Sequence, residues 1–154
     1  MKRVPIRPAL VLLALLVGVW LAFGLRNVRL QDDADAVLAR ARTGPVPPAE
    51  ANAALKDYTK AGRFSPDLTP MIYRAELLEA IGRHAEAHDE ASRATEIEPD
   101  NLEAWFLRWV VADPNSLEKV LAKRRVLDLN PWFALALQRA ETAQAQAESQ
   151  AKSH

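Results

Sequence analysis

Cysteine is absent from this 154-residue chain, and that single absence removes disulfides, thiol nucleophiles and thiolate metal sites together. Glycine is scarce, at five residues, and none sits in a loop patterned to cradle a phosphate. No serine stands in the G-x-S-x-G elbow of a hydrolase. Carboxylates are plentiful, but they recur at helical spacing among bases, which is the pattern of a solvated face. With no site in view, an enzyme is not the expectation. Acids are missing from residues 1–29, which hold Lys2, Arg3, Arg7, Arg26 and Arg29. The zero formal charge of the whole chain hides this split. Twenty bases less these five leaves fifteen against twenty acids, a net of −5 for the remainder. An acidic body argues against a nucleic-acid partner, whose phosphates reward basic surfaces.

Polarity is missing from a long stretch as well. Residues 9–25, ALVLLALLVGVWLAFGL, carry no charged or polar side chain apart from the indole of Trp20. As a helix these seventeen residues span roughly 25 Å, the short end of what a bilayer needs. Trp20 and Phe23 fall near the far end, where interfacial aromatics belong. The expectation is a single-pass signal anchor over 9–25, after a short basic N-terminus at 1–8 and before a juxtamembrane linker at 26–30. The competing reading is a signal peptide cut after Ala22-Phe23-Gly24, releasing a soluble periplasmic binding or chaperone module. The apolar run exceeds the ~7–15 residues of a typical signal core, which favours the anchor. Bases flank the run almost equally on both sides, so counting them barely orients it. A short basic segment ahead of an apolar run is the form of an export signal. The rest of the chain is therefore expected outside the cytoplasm, on the inner or cell membrane.

Beyond residue 30 the chain reads as a series of helices. QDDADAVLARAR at 31–42 has acids in its first turn, arginines in its last, and Val37, Leu38 and Ala41 on a stripe. Thr43-Gly-Pro-Val-Pro-Pro48 breaks it, and a second helix runs from Ala49 to Ala61 before Gly62. Thr69-Pro70 marks the next start, a hydroxyl cap followed by a proline in the first turn. Ile72, Ala75, Leu78 and Ile81 then recur at helical spacing until Gly82. From His84 another helix carries Ala87, Ala91, Ala94 and Ile97, and it ends before Pro99. Asn101 to Ala112 shows Leu102, Trp105, Trp109 and Ala112 along one face. Asp113-Pro114-Asn115-Ser116 is a turn and a fresh cap for Leu117 to Leu129, striped by Val120, Leu121 and Leu127. Pro131 opens a last helix through Trp132, Phe133, Leu135, Leu137 and Ala140, and a polar tail, expected disordered, occupies 141–154.

The punctuation repeats. Pro66-Asp67, Pro99-Asp100 and Asn130-Pro131 lie 33 and 32 residues apart, and Ala54, Tyr58 and Ala61 precede Pro66 as Ala87, Ala91 and Ala94 precede Pro99. Ala75, Leu78, Gly82, Ala87, Ala94 and Pro99 match, in order, the pattern of the tetratricopeptide repeat, which this central copy resembles. The flanking copies match less fully. Trp109 stands where the pattern has a small residue, and Lys119 and Lys123 stand where it has small or aromatic ones. The resemblance implies an all-α solenoid of about three helical hairpins over 31–140, closed by a capping helix and preceded by one transmembrane helix. It also implies a partner-binding scaffold without chemistry of its own. Such a scaffold would serve as an accessory subunit of an envelope assembly for export, cell-wall or surface-polysaccharide work.

By family position the concave groove would be lined by Ile72, Glu76 and Glu79 in the central copy, and by Phe106 and Val110 in the third. The lysines and asparagines with which some members clamp a terminal carboxylate are not at these places. Phe106 and Val110 have an equal alternative, packing against the closing helix. Charge is also segregated. Asp67 to Glu103 holds ten acids and three bases, while Lys119, Lys123, Arg124 and Arg125 cluster on the third hairpin. The default reading is a solvated face; the sharper one is steering of a protein partner, or head-to-tail association into a homo-oligomer. His84 and His88, four apart with Glu86 between, have a spacing that can share a metal ion, but no third ligand accompanies them. No metal or other cofactor is expected.

Overall fold

The computed structural model describes residues 6–63, 65–136, 139 and 142. These residues are all-α, with no strand among them. Six helices are delimited: α1 (Ile6–Thr43), α2 (Pro48–Gly62), α3 (Thr69–Ala80), α4 (His84–Ile97), α5 (Leu102–Val111) and α6 (Leu117–Leu129). The chain is helical again over 131–136. Leu137, Ala140 and, apart from Thr142, the expected tail lie outside the described residues.

The first departure from expectation is α1. Residues 26–30, expected as a linker, continue the helix, because Arg26-Asn27-Val28-Arg29-Leu30 contains neither glycine nor proline to stop it. One helix of 38 residues thus joins the apolar run to the segment that packs. No helix among the described residues is long and apolar enough to cross a membrane. The run at 9–25 is helical along its backbone, but most of its side chains lie outside the described residues. Those of Leu13, Leu15 and Val17 are exposed.

The chain divides into two units, Met1–Arg83 and His84–His154. In the first, α1 packs on α2 and α3, and α2 packs on α3. Its core is built from Ala34 and Leu38 of α1, Ala51, Ala54, Leu55, Tyr58 and Ala61 of α2, and Ile72, Ala75, Leu77 and Leu78 of α3. Tyr58 is the largest of these; its hydroxyl donates to Asp35 Oδ1 at 2.7 Å, and its ring meets Tyr73 edge-on at 6.3 Å. The ion pairs Arg40–Glu50 at 2.5 Å and Arg42–Glu76 tie the end of α1 to α2 and α3. In the second unit α4 packs on α5 and α5 on α6, with Ala87, Ala91, Ala94, Ala104, Leu107, Ala122 and Val126 buried.

Caps explain most of the boundaries. Asn101 and Ser116 accept the N–H groups of Ala104 and Lys119, each at 3.1 Å, at the starts of α5 and α6. Asn130 closes α6 and opens the next helix, its Oδ1 accepting the Phe133 N–H at 3.2 Å. Thr69, expected to cap α3, is instead its first residue. The side chain that accepts the Thr69 N–H is Asp67, at 3.0 Å, a carboxylate suited to the positive end of a helix.

Gly82 ends α3 as expected, and its backbone shows why it is glycine. With φ at +78°, its N–H bonds Glu79 O while Arg83 N–H reaches back to Leu78 O at 2.8 Å. This double return is the Schellman arrangement, and it needs a left-handed residue after the cap. Gly82→Ala is expected to cost about 1–2 kcal/mol, the penalty of a Cβ in that conformation. A chemical-denaturation midpoint equal to the wild type would contradict the assignment.

Candidate functional site

The two C-terminal helices depart furthest from their expected faces. α5 is apolar almost all round and buries Ala104 and Leu107; of the expected stripe Ala112 is buried just past its end, while Leu102, Trp105 and Trp109 are only half-buried. α6 buries Ala122 and Val126, while Val120 and Leu121, expected inside, are 63% and 54% exposed. Close approach of two helices selects small side chains, so the large ones are displaced to the flanks. There they form a surface.

Its centre is an aromatic trio. Phe106 and Trp109 of α5 meet Phe133 in mutual edge-to-face contacts, with centroids 5.7, 6.1 and 6.3 Å apart. Phe106 remains 42% exposed beside Phe133, and Val110 is 47% exposed. The other groove residues are not brought to such a surface. Ile72 is 2% exposed and belongs to the core of the first unit, which corrects its groove assignment: its side chain lies on the inward stripe of α3. Glu76 is engaged by Arg42. Glu79 is only half-buried, and it too is engaged.

The four bases expected as a steering patch are put to differing uses. Lys119 donates to Val110 O at 3.4 Å and Ala112 O at 3.0 Å, closing the carbonyl end of α5. The Lys123 ammonium lies 5.9 Å from the centre of the Trp109 ring. Arg125 pairs with Asp100 at 2.6 Å and donates to Pro99 O. Arg124 is exposed.

A charged network invisible in the sequence ties the second unit together. Glu118 of α6 accepts from His88 Nε2 of α4 and from Arg108 Nε of α5, each at 2.7 Å. Arg108 also donates to the hydroxyl of buried Thr95 at 2.8 Å and stacks over Trp105. His88 is thereby a hydrogen-bond partner of Glu118. Among the described residues no group of three His, Asp or Glu is placed to hold a metal ion. The partners are 30 and 10 residues from Glu118 in sequence, so no local spacing announces them.

Burial alone would raise the Glu118 carboxyl, but the His88 and Arg108 hydrogen bonds outweigh it and hold it below the ordinary carboxylate range. A depressed carboxyl stabilises the fold above its unfolded pKa, and that contribution is lost as pH falls through the lower folded value. Stability should therefore drop as acid is added from about 4.5 downward, and the drop should be shallower in Glu118→Gln, which starts less stable at neutral pH. Urea midpoints across that range measure it. Parallel curves for the two proteins would contradict the network's role.

An open pocket of about 370 Å³ lies in the first unit, between residues 44–48 and the end of α3. Glycine, alanine, proline, valine and isoleucine line most of it, with Asn52 and Arg83 as its polar groups. It holds no acid and no nucleophile, so it supplies no catalytic constellation.

Comparison with protein-family models, with curated proteins and with solved structures finds no match to this chain.

Proposed function

We propose that this chain is a membrane-anchored, tetratricopeptide-like scaffold, and not an enzyme. In this reading it holds a partner protein at the membrane surface as an accessory subunit of an envelope assembly for export, cell-wall or surface-polysaccharide work. The observation that carries the reading is serial packing. Within each unit every helix rests on the next, and small residues occupy the buried positions at the repeat's expected places: Ala54 and Ala61, then Ala87 and Ala94. The half-exposed aromatic trio around Phe106 supplies the kind of anchor that interfaces use. The length of the apolar run at 9–25, greater than a typical signal core, favours the anchored form over a module released by cleavage at Gly24.

The test is co-purification from detergent-solubilised membranes, followed by binding of the recovered partner to Phe106→Ala. Truncating an aromatic anchor at an interface centre costs on the order of 2 kcal/mol, so affinity should fall about thirtyfold. A folded Phe106→Ala that binds as the wild type does would return the residue to internal packing and remove this site from the reading.

A further inference from the structure

α6 is apolar on two faces. Ala122 and Val126 are buried within the second unit, while Leu117, Val120 and Leu121 are 73%, 63% and 54% exposed. At about 100° per residue these three fall on one stripe with Arg124; Lys123, which lies over the Trp109 ring, and Arg125, which is paired with Asp100, flank it on either side. Arg124 enters no ion pair among the described residues. Asp128, one turn further on, is the acid on this stripe; Glu118 is turned away, paired with Arg108 and hydrogen-bonded to His88. A contiguous apolar stripe of this kind marks a surface meant to be covered.

Charge decides between its occupants. An apolar stripe bordered by lysine and arginine is the pattern of a helix lying in the headgroup region of an anionic bilayer. The next helix begins with Trp132 in its first turn, 80% exposed, the amphipathic aromatic that this region favours. The acidic face that a second copy could offer, Glu86, Asp89 and Glu96 on α4, carries one exposed aliphatic side chain, Ile97, against the three on α6.

We propose that the exposed face of α6 lies on an anionic phospholipid bilayer, with Leu117, Val120 and Leu121 in the headgroup–acyl boundary and Arg124 at the phosphates. Three aliphatic side chains and a few charges make a weak contact alone. Tethering the chain to the same bilayer raises the effective concentration and makes such a contact sufficient, so the proposal rests on the anchored reading for its setting. Its effect would be to lay the second unit down on the membrane, with one face fixed and the others free.

The chain has no cysteine, so a single one can report. Full-length Leu121→Cys, labelled with an environment-sensitive fluorophore, is reconstituted into vesicles of phosphatidylcholine alone or with phosphatidylglycerol. Glu96→Cys, on the exposed face of α4, serves as the comparison site. Nitroxide-bearing lipids should quench the label at 121 strongly in the anionic vesicles and weakly in the neutral ones, and the label at 96 in neither. Adding Arg124→Glu should lower the equilibrium constant for binding about twenty-five-fold, since each basic group near an anionic surface is worth about fivefold and its reversal counts twice. Leu117→Cys repeats the measurement if helical melting shows that the variant at 121 has not folded. Equal quenching of 121 by aqueous iodide in both vesicle types overturns the proposal, as does indifference to Arg124→Glu. Protection that grows with protein concentration in detergent, without vesicles, assigns the face to a second copy instead. The anchor is scored separately: release of the chain from the same vesicles by carbonate would overturn the anchored reading.

Discussion

Tyr58→Ala is expected to lower the stability of this chain by about 3–5 kcal/mol, the range for truncating a large aromatic core residue. Tyr58 is 1% exposed, in contact with the Tyr73 ring, and it donates to Asp35 across the α1–α2 contact. Its phenol ionises well above the ordinary tyrosine value, because burial and the Asp35 carboxylate both oppose a negative charge there. Alanine would leave a cavity and remove the donor from Asp35 at once. Tyr58→Phe separates the two effects: it keeps the packing and gives up one hydrogen bond, at a cost of about 1 kcal/mol. Thermal and urea unfolding of both variants measure the difference. If Tyr58→Ala were no worse than Tyr58→Phe, the ring would not be part of the core that α1, α2 and α3 share.

Ala87→Leu is expected to cost about 1–3 kcal/mol through overpacking. Ala87, Ala91 and Ala94 of α4 have no exposed surface at all, so added methyl groups must displace a neighbour or bend the helix. Domains of this size are stable by only about 5–15 kcal/mol, which makes the loss visible as a lower melting temperature. An unchanged melting temperature would mean that this position tolerates bulk, contrary to the register in which alanine marks close approach.

The contrast between α4 and α6 shows which parts of this fold were legible in the sequence. α4 has small residues at helical spacing, so Ala87, Ala91 and Ala94 could be read as its inner face directly, while Ile97, read with them, is 55% exposed. Two helix ends were legible too, because Ser116 and Gly82 act through local hydrogen bonds that the sequence alone specifies. Thr69 misled because the acceptor that caps the start of α3 stands two residues earlier, at Asp67. α5 and α6 were not legible in their faces. Both carry more large apolar residues than one buried stripe can hold, so periodicity pointed to the tryptophans and to Val120 while packing selected Ala104 and Ala122. Ile72 was misassigned for a related reason, since family position placed it on a groove and its own stripe placed it in the core. The Glu118 network left no trace, because its members come from three helices. Part of the candidate surface was nevertheless in view: Phe106 and Val110 were named from position and are half-exposed.

The unbroken course of α1 has a mechanical meaning. A helix transmits rotation as well as position, so the apolar run and the residues that seat α2 and α3 share a fixed phase about one axis. Arg26 to Thr43 extends roughly 27 Å beyond the run at 1.5 Å per residue. Each residue inserted or deleted in 26–30 would turn the first unit by roughly 100° about that axis while moving it only about 1.5 Å along it. The length of this stretch therefore works as an angular setting, and a flexible tether of the same reach would have none.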